Sequence, residues 1–225
     1  MSDRPIAFDE DHAKSYETRF AKLEPMKKAL HLVARLALEG LPEQARILCV
    51  GAGTGAEILA LGEAFPSWQF VAVEPAAPML ARCRERAEAA GMTDRCTFHE
   101  GYLDSLDDRG FDAATSILVS QFVLDRDERR KFFAGIADRL QPGAPLVTAD
   151  LAHGSDALVA LWRKAWLFAD MPPDKVDAMC AALGKNVSVL PPADIESLIE
   201  EAGFHPPLRC FQSVLIHAWI ARRRD

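Results

Sequence analysis

Three closely spaced glycines follow a short apolar run in Ile47-Leu48-Cys49-Val50-Gly51-Ala52-Gly53-Thr54-Gly55-Ala56-Glu57-Ile58-Leu59. The unbroken apolar character of residues 47–50 predicts a strand that is buried on both faces of a parallel sheet. After the glycines, Ile58, Leu61 and Phe65 recur at helical spacing. Glycine lets the backbone turn sharply and approach a ligand, while the first turn of the helix offers it free N–H groups. We therefore predict a strand, a turn and a helix that together form a cofactor site.

The glycine pattern is compatible with two kinds of cofactor. The segment Gly51-Ala52-Gly53-Thr54-Gly55-Ala56 fits G-x-G-x-x-A, which is used for dinucleotides, and also G-x-G-x-G, which is used for S-adenosylmethionine. A second apolar stretch, 70–73, predicts the next strand and ends at Glu74. A carboxylate at that point can accept two hydrogen bonds from a ribose diol. Because both cofactors contain this diol, these residues leave the choice open.

Strand and helix patterns alternate along the rest of the chain. Further strands are predicted over 96–100, 112–119 and 146–149. This alternation predicts right-handed crossovers, a parallel sheet and a ligand crevice at the carboxyl ends of the strands. Two last strands, 208–212 and 214–220, are too close for a parallel return and must be antiparallel neighbours.

Two segments outside this alternation predict a helical cap on a single domain, 1–225. Residues 1–40 contain scattered aromatic residues and then a helical pattern from Pro25, so we expect an N-terminal helical cover. Residues 154–184 contain two helix-like stretches, rich in bulky side chains, around Met171-Pro172-Pro173. They form either a lid over the crevice or a region of plain core packing or oligomer contact.

Composition narrows the class of protein. The chain has 225 residues, of which 49% are hydrophobic, and a formal net charge of -7, which disfavours a broad nucleic-acid surface. No apolar run is long enough to span a bilayer, and the first residues show no secretory signal. The five cysteines form no metal-binding spacing, so we expect no metal site and a reducing, cytoplasmic location.

Several motifs together resemble the class I S-adenosylmethionine-dependent methyltransferases, over nearly the whole chain from Phe8 to Ala221. Val50 to Gly55 is similar to the first motif of that family, and Glu74 to its ribose-binding acid. Leu140-Gln-Pro-Gly143 resembles its L-x-P-G turn, and Glu201-Ala-Gly-Phe204 before a tight hairpin resembles its C-terminal end. The resemblance implies an α/β fold, Rossmann-like and doubly wound, whose seven-stranded sheet is mostly parallel with an antiparallel last strand.

Within the class, two segments indicate the type of enzyme. Phe8-Asp9 and residues 119–129 look most like the small-molecule methyltransferases and remotely like the carboxy-S-adenosylmethionine synthases. Those synthases hold an extra carboxylate with an arginine in the lid region. Residues 174–186 contain lysines but no arginine, so that second activity is not expected.

The resemblance also implies which residues bind the cofactor, and it shows two departures from the family pattern. Cys49 stands where the family carries an acid that orders the methionine ammonium group, and Tyr102 stands where it carries an acid for the adenine amino group. Tyr16 and Arg19 either close over the methionine end or are surface residues of a helix. The implied cofactor-binding residues are Gly51, Ala52, Gly53, Thr54, Gly55, Glu74, Pro75, Met79, Gly101, Tyr102, Leu103, Leu118, Tyr16 and Arg19.

Methyl transfer itself requires little from the protein, because the sulfonium already makes the methyl group electrophilic. The protein has to hold a nucleophile in line and exclude water. A hydroxyl acceptor would also need a general base, for which His153 and His12 are candidates if they are not plain surface histidines. Ser120 and Gln121 could orient a polar acceptor, or Ser120 could cap the following helix. His217 is expected to be structural.

Three functions follow from these observations. The first is methyl transfer from S-adenosylmethionine to a small-molecule acceptor, with S-adenosylhomocysteine as the product. A non-catalytic cofactor-binding or scaffold protein is suggested by Cys49 and Tyr102. A nicotinamide-dependent oxidoreductase is disfavoured by the C-terminal hairpin and by the 140–143 turn. The expected partners are a small-molecule acceptor, with neither nucleic acid nor membrane, and the expected assembly is a monomer or homodimer.

Overall fold

The computed structural model describes residues 21–225, which form a seven-stranded sheet with helices on both faces. The strand order is β3-β2-β1-β4-β5-β7-β6. Strands β1 to β5 pair in parallel, whereas β7 runs antiparallel to both β5 and β6. The predicted sheet and its C-terminal hairpin are therefore confirmed. The strands are β1 (Arg46–Val50), β2 (Gln69–Glu74), β3 (Cys96–Glu100), β4 (Ala113–Ile117), β5 (Pro145–Leu151), β6 (Leu208–Ser213) and β7 (Ile216–Arg222).

Seven α-helices lie within the described part of the chain. Two of them, α5 and α6, fall inside the segment 154–184 for which a helical insert was predicted. Within residues 21–225 none of the helices is both long and apolar enough to cross a membrane. They are α1 (Glu24–Leu38), α2 (Ala56–Ala64), α3 (Ala77–Ala89), α4 (Arg126–Ala137), α5 (Asp156–Phe168), α6 (Pro173–Ala182) and α7 (Pro192–Glu201).

The alternation of side chains along β1 explains its continuous apolar character. Ile47 and Cys49 pack on one face with α1, α2 and α3, while Leu48 and Val50 pack on the other face with α4 and α7. Both faces of the strand are covered by helices, so every side chain from 47 to 50 is buried. This double covering places β1 and the glycine turn that follows it in the middle of the sheet.

A third apolar cluster lies beyond the carboxyl end of β5. Trp162 and Trp166 of α5 meet edge to face with ring centroids 5.5 Å apart, and Val176 of α6 packs with them. Leu151 of β5 and Leu215 of the β6–β7 turn complete the buried part of this cluster. The pair α5 and α6 is thus attached to the edge of the sheet where ligands bind in folds of this kind.

Two predicted details differ from the structure. The 4, 3, 4 spacing of Met26, Leu30, Val33 and Ala37 predicts the buried face of α1. Only Leu30 of these four is fully buried; the buried row is Leu30, Ala34 and Leu38, four residues apart, and the other three predicted residues are half-buried. The i, i+4 row of α1 faces the sheet because the helix crosses β5 and β6. Strand β4 is shorter than its apolar run of 112–119, because Leu118 has a φ of 60° and leaves the extended conformation.

Candidate active site

The backbone of the glycine turn after β1 packs closely against neighbouring side chains. Gly51, Gly53 and Gly55 have φ values of 70°, 54° and 76°, in the left-handed region that favours glycine. A Cβ atom on Gly51 would lie 2.4 Å from Val119 Cγ2, and one on Gly55 would lie 2.5 Å from Cys83 Sγ. No larger residue fits at either position without displacing its neighbour, so the close approach of the backbone here is a built feature.

Glu74 is held at the mouth of this turn by two backbone groups. Its Oε2 accepts a hydrogen bond from the Gly53 N–H at 2.9 Å, and its Oε1 accepts one from the Ala76 N–H at 2.9 Å. The residue is only 7% exposed; burial raises the pKa of its carboxyl, and the two backbone hydrogen bonds act in the opposite direction. Each carboxylate oxygen retains a further lone pair, which suits the diol of a ribose. The structure thus brings together the predicted turn and the predicted acid.

Other predicted cofactor residues surround the same turn. Met79 is buried, and its Cε would be 3.6 Å from a Cβ on Gly53. Thr54 is also buried, and its carbonyl and hydroxyl oxygens accept hydrogen bonds from Arg86 Nη1 at 2.9 and 3.1 Å. Ala52 is buried, and its N–H donates to the carbonyl of the last valine in β2. Pro75 is exposed directly after Glu74.

The segment after β3 also meets this site. The Gly101 N–H donates to the carbonyl of Glu74 at 3.1 Å, which ties the segment to the end of β2. The side chain of Tyr102 is 45% exposed, whereas Leu103 packs into the core beside α4. That Tyr102 covers a ligand and that Leu103 makes an apolar contact with it both stay predictions.

At the end of β4 the backbone turns abruptly into the crevice. Leu118 adopts the left-handed conformation, and its N–H donates to the Ala149 carbonyl at 2.6 Å. Its half-buried side chain packs against the cluster formed by α5 and α6. A leucine in this conformation stores strain, and such strain is concentrated at functional sites.

A buried polar network lies directly behind this turn and was not predicted. Ser120 Oγ donates to Asp150 Oδ2 at 2.6 Å and accepts from Arg129 Nε at 2.8 Å. The Gln121 N–H donates to Asp150 Oδ1 at 2.9 Å, and its side-chain Oε1 accepts from the Leu151 N–H at 2.7 Å. Ser120 is therefore a member of this network and does not cap α4.

The cap of α4 is Asp125, whose Oδ1 accepts from the Glu128 N–H at 3.0 Å. Arg129 Nη2 lies 3.3 Å from Asp150 Oδ2, and neither side chain is exposed to solvent. Burial raises the pKa of Asp150, while Arg129 and the hydrogen bonds to its carboxylate oppose that shift. A sequence signal did exist, since Arg129 lies four residues before the buried Phe133 on the inner face of α4.

Of the two candidate general bases, the structure describes His153. His153 is exposed, and its backbone N–H donates to the Leu190 carbonyl at 2.8 Å. His217 is buried with no hydrogen-bond partner for either ring nitrogen within residues 21–225, and burial lowers its pKa. Its ring stacks on Trp219 with centroids 6.0 Å apart, in keeping with the structural role expected of it. His12, Tyr16 and Arg19 lie outside the described residues.

A second feature missed by sequence reasoning lies beneath the glycine turn. Glu57, in the first turn of α2, is only 7% exposed, and burial raises its pKa to about 7. Cys49 of β1 is completely buried, and desolvation raises the pKa of its thiol well above the ordinary value, with Glu57 contributing to the shift. The site therefore contains a buried acid on α2, although β1 carries none.

The sheet order, the glycine turn after β1 and the acid at the end of β2 define the fold of the class I S-adenosylmethionine-dependent methyltransferases. Residues 47–143 match the family described as a methyltransferase domain. Residues 47–143 are therefore similar to a methyltransferase domain.

Two curated relatives and one solved structure illustrate this similarity. The chain is 52% identical over 64 residues to the type II methyltransferase M.XamI of Xanthomonas campestris pv. amaranthicola, covering 28% of this chain and 11% of that protein. It is 32% identical over 127 residues to the malonyl-[acyl-carrier protein] O-methyltransferase of Xylella fastidiosa (strain M23), covering 56% of this chain and 41% of the relative. The chain thus spans less than half the length of either curated relative.

A putative O-methyltransferase from Nostoc punctiforme PCC 73102 has a similar structure. The TM-score is 0.69 at 21% identity, and the match covers 93% of this chain and 60% of that one. At this level of identity the likeness establishes the fold.

Proposed function

We propose that this protein binds S-adenosylmethionine and transfers its methyl group to an oxygen of a small-molecule acceptor. The observation that carries the proposal is the Glu74 carboxylate, fixed by the Gly53 and Ala76 N–H groups at the mouth of the glycine turn. The same arrangement serves a cofactor that presents a ribose diol. The match of residues 47–143 to a methyltransferase domain family favours S-adenosylmethionine over a dinucleotide.

The residues present suit this cofactor. Glu74 would accept hydrogen bonds from the ribose hydroxyls, and the three glycines, with their positive φ values, would shape the turn on which the cofactor lies. When bound, S-adenosylmethionine supplies an electrophilic methyl group. The chain then has to orient the acceptor and keep water away, a task for the backbone turn at Leu118 and the helices α5 and α6.

Oxygen as the acceptor atom is supported by the names of the proteins that this chain resembles. One curated relative is an O-methyltransferase, and so is the structural neighbour from Nostoc punctiforme. The net charge of -7 supports a small-molecule acceptor over a nucleic acid. All five cysteines are unpaired, which supports the proposal of a reducing compartment.

The segment 154–184 is proposed to act as a lid on the acceptor side. Its helices α5 and α6 pack on Leu118 and Leu151, at the carboxyl ends of β4 and β5. Limited proteolysis should cleave this segment more slowly when S-adenosylhomocysteine is present at saturation. An unchanged cleavage rate there would exclude a lid whose closure is linked to the cofactor.

Calorimetric titration with S-adenosylhomocysteine and with NADH tests the cofactor directly. We expect micromolar binding of S-adenosylhomocysteine alone. Glu74→Ala should weaken it about 100-fold, because two hydrogen bonds to a charged group contribute roughly 3 kcal/mol together. Glu63→Ala, on the exposed side of α2, is the matched control and should leave the affinity unchanged.

Binding of NADH in place of S-adenosylhomocysteine would overturn the proposal. A non-catalytic binding protein is the second candidate, because neither Cys49 nor Tyr102 supplies the family's acid. It would be favoured by tight binding of S-adenosylhomocysteine without turnover in an acceptor screen.

A further inference from the structure

We propose that Glu57 binds the α-ammonium group of the methionine half of S-adenosylmethionine. It would take over the role of the family's acid on β1, a position that Cys49 occupies in this chain. The inference rests on the proposed function and deepens it. It assigns a cofactor contact to a residue of α2 that lies outside the glycine motif.

Three carboxylates are buried within residues 21–225, and two of them have fixed partners. Asp150 is paired with Arg129, and Glu74 accepts hydrogen bonds from two backbone N–H groups at the ribose position. Glu57 has no ion pair within the described residues, and the hydrogen bond identified for its carboxylate comes from its own backbone N–H. A buried carboxylate without a cationic partner is costly, so a ligand cation would stabilise its charged form.

The position of Glu57 connects it with the methionine end of the site. It is the second residue of α2, two positions after Gly55. Its charge interacts with the Cys49 thiol, which stands where the family's acid would be, and also with Glu74. The charge of Glu57 is therefore coupled electrostatically both to Cys49, which stands in the place of the family's acid, and to Glu74.

Cys49 cannot supply the negative charge itself. Its thiol is completely buried, and desolvation holds its pKa well above the ordinary range, so it is neutral at physiological pH. It interacts with Thr115 of the neighbouring strand β4. Glu57 is thus the buried acid that remains for an ammonium group.

Other titratable groups act on Glu57 or on its cationic neighbours. Lys27 of α1 and Arg86 of α3 are positive and favour its ionised form, and Arg86 is engaged with Thr54. Burial lowers the pKa of His31 on α1 to about 4, and the same two cations add to the shift. Burial raises the pKa of Cys83 on α3 to about 12. His31 and Cys83 are therefore both uncharged between pH 6 and 8.

Ammonium binding requires the ionised carboxylate, so the affinity must be linked to protonation. With a pKa of about 7 in the free protein, Glu57 is partly protonated at neutral pH. S-Adenosylhomocysteine should therefore bind about tenfold more tightly at pH 8 than at pH 6, with release of a proton. Protonation of Glu74 would instead weaken binding of the ribose. It would therefore affect a ligand without the amino-acid half equally, because such a ligand still contains the ribose.

The experiment compares S-adenosylhomocysteine with 5′-methylthioadenosine, which carries the nucleoside but no ammonium group. Both are titrated calorimetrically into the full chain and its Glu57→Gln variant at pH 6 and pH 8, in buffers of different ionisation enthalpy. We expect Glu57→Gln to weaken S-adenosylhomocysteine at pH 8 by about 10- to 100-fold. The affinity for 5′-methylthioadenosine should change less than twofold. Adding Cys49→Asp to the variant should restore much of the loss.

Equal affinity of wild type and Glu57→Gln for S-adenosylhomocysteine would overturn the inference and leave the proposed function standing. Binding of neither ligand to the wild type would overturn both. Should Glu57→Gln fail to fold, the wild type alone decides the matter. A tenfold pH effect on S-adenosylhomocysteine that is absent for 5′-methylthioadenosine supports the assignment, and equal pH profiles refute it.

Discussion

Replacing Arg129 by Met removes the cation from a buried ion pair and leaves its partner behind. Arg129 and Asp150 are both fully buried, with Nη2 and Oδ2 3.3 Å apart. The variant can avoid a buried charge by protonating Asp150, which costs about 1.4 kcal/mol for each pH unit above its usual pKa of about 3.9. The free energy of unfolding should therefore fall by up to about 4 kcal/mol at pH 7, in line with other broken buried pairs.

The pH dependence of this stability loss shows whether it arises from protonation of Asp150. At pH 5 the cost of protonation is only about 1.5 kcal/mol, so the deficit of the variant should shrink as the pH falls. Urea unfolding at pH 5 and pH 7 measures both values, and the melting temperature at pH 7 should fall by about 8–16 °C.

Arg126→Met is the matched control, because Arg126 also lies on α4 and pairs with a carboxylate. Its partner is Glu201, and their side chains are 52% and 45% exposed. Solvent screens this exposed pair, so Arg126→Met should lose far less stability than Arg129→Met. Equal losses in the two variants, or a deficit in Arg129→Met that does not change with pH, would refute the reasoning. Adding Asp150→Asn to Arg129→Met should recover at least half of the lost stability.

Three further variants test separate features. Gly51→Ala should lose about 2 kcal/mol more stability in urea than Gly143→Ala, since both glycines have positive φ but only Gly51 faces Val119; equal losses would contradict the close packing. The free energy of unfolding of Glu57→Gln should rise relative to that of wild type by up to about 3 kcal/mol between pH 5 and pH 8. The reason is that ionisation of a carboxyl whose pKa is raised to about 7 destabilises the wild-type fold as the pH rises. A difference in free energy that does not change with pH would contradict this. His217→Phe should raise the free energy of unfolding by about 1 kcal/mol, because it removes two buried ring nitrogens that have no hydrogen-bond partner within residues 21–225; a loss of stability would indicate that they have one.

The fold could be predicted because its main signals are local. The apolar run of β1 and the glycines after it are contiguous in sequence, and β1 has the strand bounds that this pattern indicates to within one residue. The hairpin of β6 and β7 followed from the short connection alone. The proximity of Glu74 and Gly53 could be predicted because the carboxyl ends of adjacent parallel strands lie at the same edge of the sheet.

The polar groups of the site were harder to predict because their partners are distant in sequence. Ser120 and Asp150 are 30 residues apart, so Ser120 read by itself looks like a helix cap. Arg129 lies in a charged stretch that resembles an exposed face, and only the register of α4 turns it inward. From the sequence alone, Glu57 looks like an ordinary exposed acid in the first turn of a helix, and only the structure shows that it is buried.

The position of β7 in the sheet has a consequence for the order of folding. Strand β6 precedes β7 in the chain, yet β7 is the one that lies beside β5, with seven residue pairs from Pro145↔Arg222 to Leu151↔Ile216. Until β7 inserts, the outer edge of an apolar strand, β5, has no partner, and such edges recruit other chains. Insertion is a long-range event and hence slow. We expect the aggregation of newly made chains to be governed by the rate at which β7 closes that edge.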